Sequence, residues 1–196
     1  MLKWCVTEMI YGDHKQRKQI RLQNCDYSQT GVYFVTICTH NREMLFGDIV
    51  DGGMVYTDCG KIAVEEIHHT NQQREKDNIF ISDYVIMPNH VHMIVNIVGT
   101  RLAVSVQPQF EAFSKPTKKS LSSVIRSYKS AVTNRIHRIE ADGHGKPCPY
   151  IKVWQGRYYD HIIRDEQDFY KISEYIENNP SKWEEDRFYM KTEVKT

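Results

Sequence analysis

The sequence lacks the features that mark membrane and secreted proteins. No apolar run approaches the roughly 20 residues that a bilayer-spanning helix needs. The opening segment MLKWCVTEMI has neither the basic flank nor the apolar centre of a signal peptide. The five cysteines are odd in number and never form Cys-x-x-Cys, which disfavours a disulfide framework and a thiolate zinc site. These absences predict a cytoplasmic protein without a membrane contact.

The chain as a whole also lacks an excess of one charge. Its 196 residues carry 26 Lys and Arg against 25 Asp and Glu, and 40% are hydrophobic. This length and composition are typical of one globular domain. The charge is uneven, however, since residues 14–24 hold four bases and no acid. We therefore predict a basic arm over residues 1–26, a folded domain over residues 27–183 and a tail over residues 184–196.

The order of strand and helix patterns predicts an α+β fold. Runs rich in β-branched and aromatic residues predict strands, and an Asp-Gly-Gly sequence at residues 51–53 predicts a hairpin before the first helix. Apolar residues at spacings of three and four predict the helices. The expected architecture is an antiparallel sheet with helices packed on one face. The predicted strands are 32–39, 79–87 and 90–98, and the predicted helices are 58–73, 118–139 and 166–179.

The strongest chemical signal is the triplet His90-Val91-His92 at the start of a predicted strand. Side chains alternate along a strand, so both imidazoles share one face and can converge on one cation, while Val91 points into the core. Two imidazoles alone make a weak site, and a pair of surface histidines is the alternative. A third ligand has to come from elsewhere in the chain.

The last predicted helix offers such a ligand. Tyr175 and Asn179 are four residues apart and therefore lie on one helix face, about 6 Å from each other. An amide oxygen is a hard ligand that suits Mg²⁺ or Mn²⁺, and imidazole is acceptable to Mn²⁺. For Tyr175 taken alone, an ordinary tyrosine at the core boundary is the alternative.

Five segments, in order along about residues 15–183, resemble the successive motifs of the REP-associated tyrosine transposases. They are DYSQTGVYFVTICTHNREMLFGDI, DYVIMPNHVHMIV, IRSYKSAVT, VWQGRYYDHIIR and EYIENNP. The resemblance implies a ferredoxin-like or RNA-recognition-like domain of the His-hydrophobic-His nucleases. It also implies a divalent cation, Mg²⁺ or Mn²⁺, and cleavage and strand transfer on single-stranded DNA beside the hairpin of a repetitive palindromic element.

On the matching positions, the resemblance implies that His90 and His92 are metal ligands, Tyr175 is the nucleophile that forms a 5′-phosphotyrosine, and Asn179 is the third ligand. Tyr128 is the rival nucleophile. It lies within an apolar helical stripe, where a core residue is expected, and the residue four positions on is Val132, which cannot bind a cation. The pattern therefore favours Tyr175.

Two further sets of residues complete the predicted site. His161 is a candidate general base because it shortly precedes the helix of Tyr175, and a structural histidine is the alternative. Basic and aromatic residues on the arm, on the long helix and after that helix could hold DNA. The alternatives are a frayed terminus for the arm, a solvated face for the helix and core packing for the residues after it. These candidates are Arg17, Lys18 and Arg21 on the arm, Arg126 and Lys129 on the long helix, and Trp154 and Arg157 after it.

Alternative functions remain open from the sequence. The first is a hairpin-binding protein that does not cleave, and the second is a hydrolase that uses water instead of tyrosine. A zinc nucleobase deaminase is disfavoured, because its His-x-Glu and Pro-Cys-x-x-Cys signature is missing. Both a monomer and a homodimer are compatible with the pattern.

Overall fold

A computed structural model describes residues 30–99, 119–144 and 152–189. Four strands form an antiparallel sheet in the order β4-β5-β1-β6, and β2 and β3 form a separate hairpin. Without that hairpin the chain order is β-α-β-β-α-β, the ferredoxin-like arrangement. The predicted α+β fold class is confirmed. The elements are β1 (Gly31–Cys38), β2 (Gly47–Val50), β3 (Gly53–Tyr56), α1 (Asp58–Arg74), β4 (Ile79–Met87), β5 (His90–Ile97), α2 (Leu121–His144), β6 (Tyr159–Ile163) and α3 (Glu166–Asn178).

Strand β5 is buried along its whole length because the sheet is covered on both faces. Val91, Met93 and Val95 point into the main core, which α1 and α2 close from one side. Ile94 points to the other face and packs against α3. This alternation puts the even-numbered side chains of β5, including both histidines of the triplet, on the face that α3 covers.

Helix α3 packs on the face opposite α1 and α2, a feature that the expected one-sided packing does not include. Asp165 caps its start by accepting a hydrogen bond from the backbone amide of Asp168 at 2.8 Å. Ile172 and Ile176 then form a stripe that packs on Ile94. A periodic stripe shows which side of a helix is buried, but it does not show which face of a sheet receives it.

The tight connection between β4 and β5 sets the position of the triplet. The carbonyl of Pro88 accepts from the amide of Phe46, and the carbonyl of Asn89 accepts from the amide of Thr39. His90 consequently begins β5 directly opposite Cys38, the last residue of β1. Within the residues that the structure describes, no helix has the length and apolar character needed to cross a membrane.

Candidate active site

The two histidines of the triplet lie side by side at the start of β5. Their Nε2 atoms are 2.9 Å apart, and both residues are buried. Two neighbouring ligands of one octahedral ion, with bonds of about 2.1 Å, are about 3 Å apart. The separation of the nitrogens therefore fits two ligands of a single cation.

Neighbouring side chains hold the second nitrogen of each imidazole. Nδ1 of His90 donates to Oδ1 of Asn89 at 2.9 Å, and Nδ2 of that amide donates to the carbonyl of Phe188, which fixes its orientation. Nδ1 of His92 lies 2.9 Å from the hydroxyl of Thr36. A proton on Nδ1 leaves Nε2 with a free lone pair, and such outer partners commonly orient histidines that bind metals.

The surroundings keep both imidazoles uncharged. Burial, with smaller contributions from Arg187 and Arg42, lowers the pKa of His90 to about 3. Burial, followed by the interaction with His90, lowers the pKa of His92 well below its ordinary value. The neutral imidazole is the form that binds a metal ion. Both rings therefore offer an unprotonated nitrogen at physiological pH.

The phenol of Tyr175 reaches the imidazole pair from α3. Its oxygen is 3.3 Å from Nε2 of His92 and donates a hydrogen bond to Oδ2 of Asp186 at 3.0 Å. Burial, followed by the charge of Asp186 and the hydrogen bond to it, raises the pKa of Tyr175. Tyr175 is 38% exposed, so a substrate can approach it from solvent. Residues from β5 and α3, far apart in sequence, thus lie together at one place.

Asp186 belongs to the same cluster, although the sequence pattern does not reveal it. Its carboxylate and the two imidazoles offer three ligand atoms within 4.8 Å of one another. Oδ1 accepts from the amide of Phe188 at 2.6 Å, and Oδ2 accepts from Tyr175 and from Asn179, each at 3.0 Å. Asp186 follows the last helix in an irregular segment, where no periodicity indicates the direction of a side chain. The only local feature that could have indicated Asp186 is its position between two aromatic residues, Trp183 and Phe188.

Asn179, predicted as the third ligand, lies one turn after Tyr175 and is 3% exposed. Its Nδ2 donates to Asp186, and its buried Oδ1 has no hydrogen-bond partner among the described residues. A buried oxygen left in this way costs about 1–3 kcal/mol. A donor set of two imidazoles, a carboxylate and an amide oxygen suits Mn²⁺ and is acceptable to Mg²⁺. The residues present therefore fit a divalent cation.

The segment after α3 forms one wall of the site. The ring centroids of Phe188 and Trp183 are 4.6 Å and 5.9 Å from that of His90. Phe188 is only 2% exposed. The sequence pattern placed residues 184–196 in a tail outside the domain, yet the described part of that region packs against the imidazole pair.

Comparison with known proteins adds a family and a fold. No protein-family model matches the chain. An uncharacterised protein from Haemophilus influenzae is 36% identical over 193 residues, which cover 94% of this chain and 98% of that one. The two chains belong to one family.

Solved structures show the fold. The structure of a REP-associated tyrosine transposase bound to a REP hairpin matches with a TM-score of 0.50 at 20% identity, covering 87% of this chain and 74% of that one. This chain has the fold of a REP-associated tyrosine transposase. A candidate transposase from Deinococcus radiodurans R1 matches with a TM-score of 0.39 at 15% identity, covering 81% of this chain and 97% of that chain.

Tyr128, the rival nucleophile, is a core residue in this fold. Tyr128, on α2, is fully buried in the main core, and its hydroxyl donates to the carbonyl of Ala63 on α1 at 3.0 Å. That location agrees with the argument that placed it in the core. Tyr175 is the tyrosine that contacts the imidazole pair.

His161 lies on β6, where Nε2 is 2.8 Å from Oδ2 of Asp168 in the first turn of α3. Asp168 precedes Tyr175 by two turns, a distance of about 10 Å along the helix axis. The hydrogen bonds of the phenol go instead to His92 and Asp186. The structural alternative therefore describes the position of His161 better, since its ring ties β6 to the start of α3.

The predicted DNA-binding residues fall into three groups. Arg126 and Arg157 are exposed. Lys129 donates to the carbonyls of Gln155 and Arg157, and Trp154 is 6% exposed with its ring in the core. Trp154 therefore matches the core-packing alternative. Arg17, Lys18 and Arg21 lie outside the described residues.

Proposed function

We propose that the protein is a tyrosine transposase, a metal-dependent endonuclease and strand transferase that acts on single-stranded DNA beside hairpins. The observation that carries the proposal is the hydroxyl of Tyr175, which lies 3.3 Å from Nε2 of His92. A nucleophile and two candidate metal ligands thus share one site. The shared transposase fold supports the same reaction, and the REP-associated protein of that fold was solved with a REP hairpin.

A divalent cation held by His90, His92 and Asp186, with Asn179 beside them, would polarise the scissile phosphate and offset charge on its non-bridging oxygens. The phenol oxygen of Tyr175 attacks phosphorus, and the bond from phosphorus to the 3′ oxygen breaks. The products are a 5′-phosphotyrosine and a free 3′-hydroxyl. One phosphoester bond replaces another, so a second 3′-hydroxyl can attack the phosphotyrosine and join a new strand.

Asp186 is placed to receive the phenolic proton. An ordinary tyrosine has a pKa near 10, and burial together with Asp186 raises the pKa of Tyr175 further. The phenol is therefore protonated at neutral pH and has to lose its proton during attack. Oδ2 of Asp186 already accepts the hydrogen bond from that hydroxyl at 3.0 Å. The departing 3′ oxygen gains a proton from solvent.

The proposal is tested by trapping the covalent intermediate. The protein is mixed with Mn²⁺ and a single-stranded hairpin oligonucleotide that carries a label at its 3′ end. We expect a labelled protein adduct on a denaturing gel, because the 5′-phosphotyrosine keeps the 3′ part of the strand. A label at the 5′ end should instead appear on a free fragment that ends in a 3′-hydroxyl.

Two phenylalanine variants make the assay specific. Tyr175→Phe should abolish the adduct and retain hairpin binding. Tyr170→Phe is the matched control, since Tyr170 lies on the same helix and is 62% exposed. Undiminished cleavage by Tyr175→Phe would support a hydrolase that uses water. Binding of the hairpin by the wild-type protein without any adduct would support a binding protein.

A further inference from the structure

Two arginines beside the site have no carboxylate partner among the residues that the structure describes. The guanidinium carbons of Arg42 and Arg187 lie 5.2 Å and 4.6 Å from the ring centroid of Phe188. Two other arginines of the domain, by contrast, form ion pairs: Arg74 with Asp77, and Arg135 with Glu65 and Glu66. Arg42 and Arg187 therefore keep hydrogen-bond donors that no acid in the described parts of the chain occupies.

Phe188 connects these two arginines to the candidate metal ligands. Its ring centroid is 4.6 Å from that of His90 and 6.1 Å from that of His92. Arg187 also lies over the ring of Tyr159, at 5.4 Å. A guanidinium stacked on a ring stays planar and keeps its N–H groups available at its edge. The N–H groups of Arg42 and Arg187 are thus held near the imidazole pair, with only the ring of Phe188 between them and His90.

The turn that carries Arg42 has an uncommon backbone conformation. Asn41 and Arg42 have φ angles of 51° and 58°. Asparagine adopts this left-handed region readily, whereas for arginine it costs about 1–2 kcal/mol. The hydroxyl of Thr39 holds the turn, since it lies 2.8 Å and 2.9 Å from the carbonyls of Glu43 and Asn89. Strain of this kind persists where the surrounding structure enforces it, typically at functional sites.

We propose that Arg42 and Arg187 bind a phosphate of the DNA strand adjacent to the phosphate that is cleaved. The inference rests on the proposed function and adds the contact that positions the strand. Guanidinium groups bind phosphate oxygens through paired, charge-assisted hydrogen bonds. Neither guanidinium has an acid partner among the described residues, and a phosphodiester anion would supply the missing negative charge. Because the contact is with the backbone, it is independent of base sequence.

The test measures DNA affinity as a function of salt. Binding of a fluorescein-labelled single-stranded hairpin is followed by anisotropy in the Tyr175→Phe background with Mn²⁺, so that no strand is cleaved. We expect Arg42→Gln and Arg187→Gln each to weaken binding roughly three- to tenfold. Each should also reduce the slope of log Kd against log salt by about 0.7. The losses should be equal for two hairpins with unrelated flanking sequences.

Matched variants separate charge from geometry. Arg42→Lys and Arg187→Lys should keep the salt slope and recover only part of the affinity, because lysine neither stacks nor forms paired bonds as arginine does. Arg164→Gln is the control, since Arg164 is exposed and follows Ile163, which pairs with Val32 at the opposite end of β1. It should bind like the parent protein.

Each outcome decides the question. Hairpin binding and adduct formation by the wild-type protein, with both glutamine variants indistinguishable from Arg164→Gln, would overturn this inference and leave the proposed function intact. A wild-type protein that binds no DNA would overturn both. If a glutamine variant fails to fold by circular dichroism, its lysine counterpart decides, because full affinity in the lysine variant rules out the paired contact.

Discussion

Nε2 of His90 and Nε2 of His92 face each other across 2.9 Å, and each ring is fixed through its other nitrogen. Alternation along a strand explains only why the two side chains share a face. Convergence of the rings requires the partners of Nδ1, namely Asn89 and Thr36. A separation of 2.9 Å suits either a hydrogen bond between the two nitrogens or a single cation bound by both. The two rings therefore already have the orientation that two ligands of one cation need.

The hydroxyl of Thr36 should tune metal affinity without binding the metal. Thr36→Val keeps the shape of the buried side chain and removes the hydrogen-bond partner of His92. Loss of such an outer partner typically weakens metal binding about 10- to 100-fold, and we expect a loss in that range. Titration calorimetry with Mn²⁺ measures it.

Thr70→Val is the control for that measurement, because Thr70 is equally buried but lies on α1. Its Mn²⁺ affinity should equal that of the wild-type protein. Equal affinities for Thr36→Val and Thr70→Val would show that the hydrogen bond to His92 does not orient the ring.

Asp186→Asn should strongly reduce cleavage. The substitution removes both a candidate metal ligand and the acceptor of the phenolic proton of Tyr175, while hairpin binding should persist. General acid–base catalysis alone contributes about 10²- to 10⁴-fold, so we expect the rate of adduct formation to fall at least 100-fold. Single-turnover gel assays with saturating Mn²⁺ measure that rate.

The neighbouring acid provides the control for this experiment. Glu185→Gln removes one negative charge at an exposed position and should leave the rate within about threefold. His161→Gln should likewise retain adduct formation, because the ring of His161 pairs with Asp168 rather than with Tyr175. A rate loss in His161→Gln as large as in Asp186→Asn would restore His161 as the general base.

The sequence predicts the helices and strands that carry the site better than it predicts the segment after α3, which contributes Asp186. Local patterns identify β5 and α3, because apolar alternation and helical spacing are local properties. They also place Tyr175 and Asn179 on one helix face. Local patterns do not predict Asp186. The direction of its side chain depends on the packing of Trp183 and Phe188 on the imidazole pair, which is a tertiary effect.

Tyr128, which is buried in the main core, should matter for stability and not for chemistry. Tyr128→Phe removes the hydrogen bond from its hydroxyl to the carbonyl of Ala63. We expect a loss of about 1–2 kcal/mol in the free energy of unfolding, measured in urea. The adduct yield at a temperature where the variant is folded should be unchanged. A folded Tyr128→Phe variant that forms no adduct would reopen the choice between the two tyrosines.

Stability at alkaline pH should report on Lys129. Burial lowers the pKa of this ammonium group from 10.5 to about 8. Below pH 8 the lysine is charged in both the folded and the unfolded chain, and the folded chain carries the full cost of burying the charge. Between about pH 8 and 10.5 the unfolded chain binds more protons than the folded chain, so stability from this group rises with pH.

The comparison with Lys129→Met isolates that contribution, because other titrating groups are common to both proteins. We expect the free energy of unfolding of the wild-type protein to increase relative to that of the variant by on the order of 1–3 kcal/mol across this window. The neutral amine can still donate to the carbonyl of Gln155, so the contact persists. Lys61→Met, at a position where the side chain is 62% exposed, should show no such increase. A difference between wild type and Lys129→Met that stays constant from pH 7 to 10.5 would show that folding does not lower the pKa of Lys129.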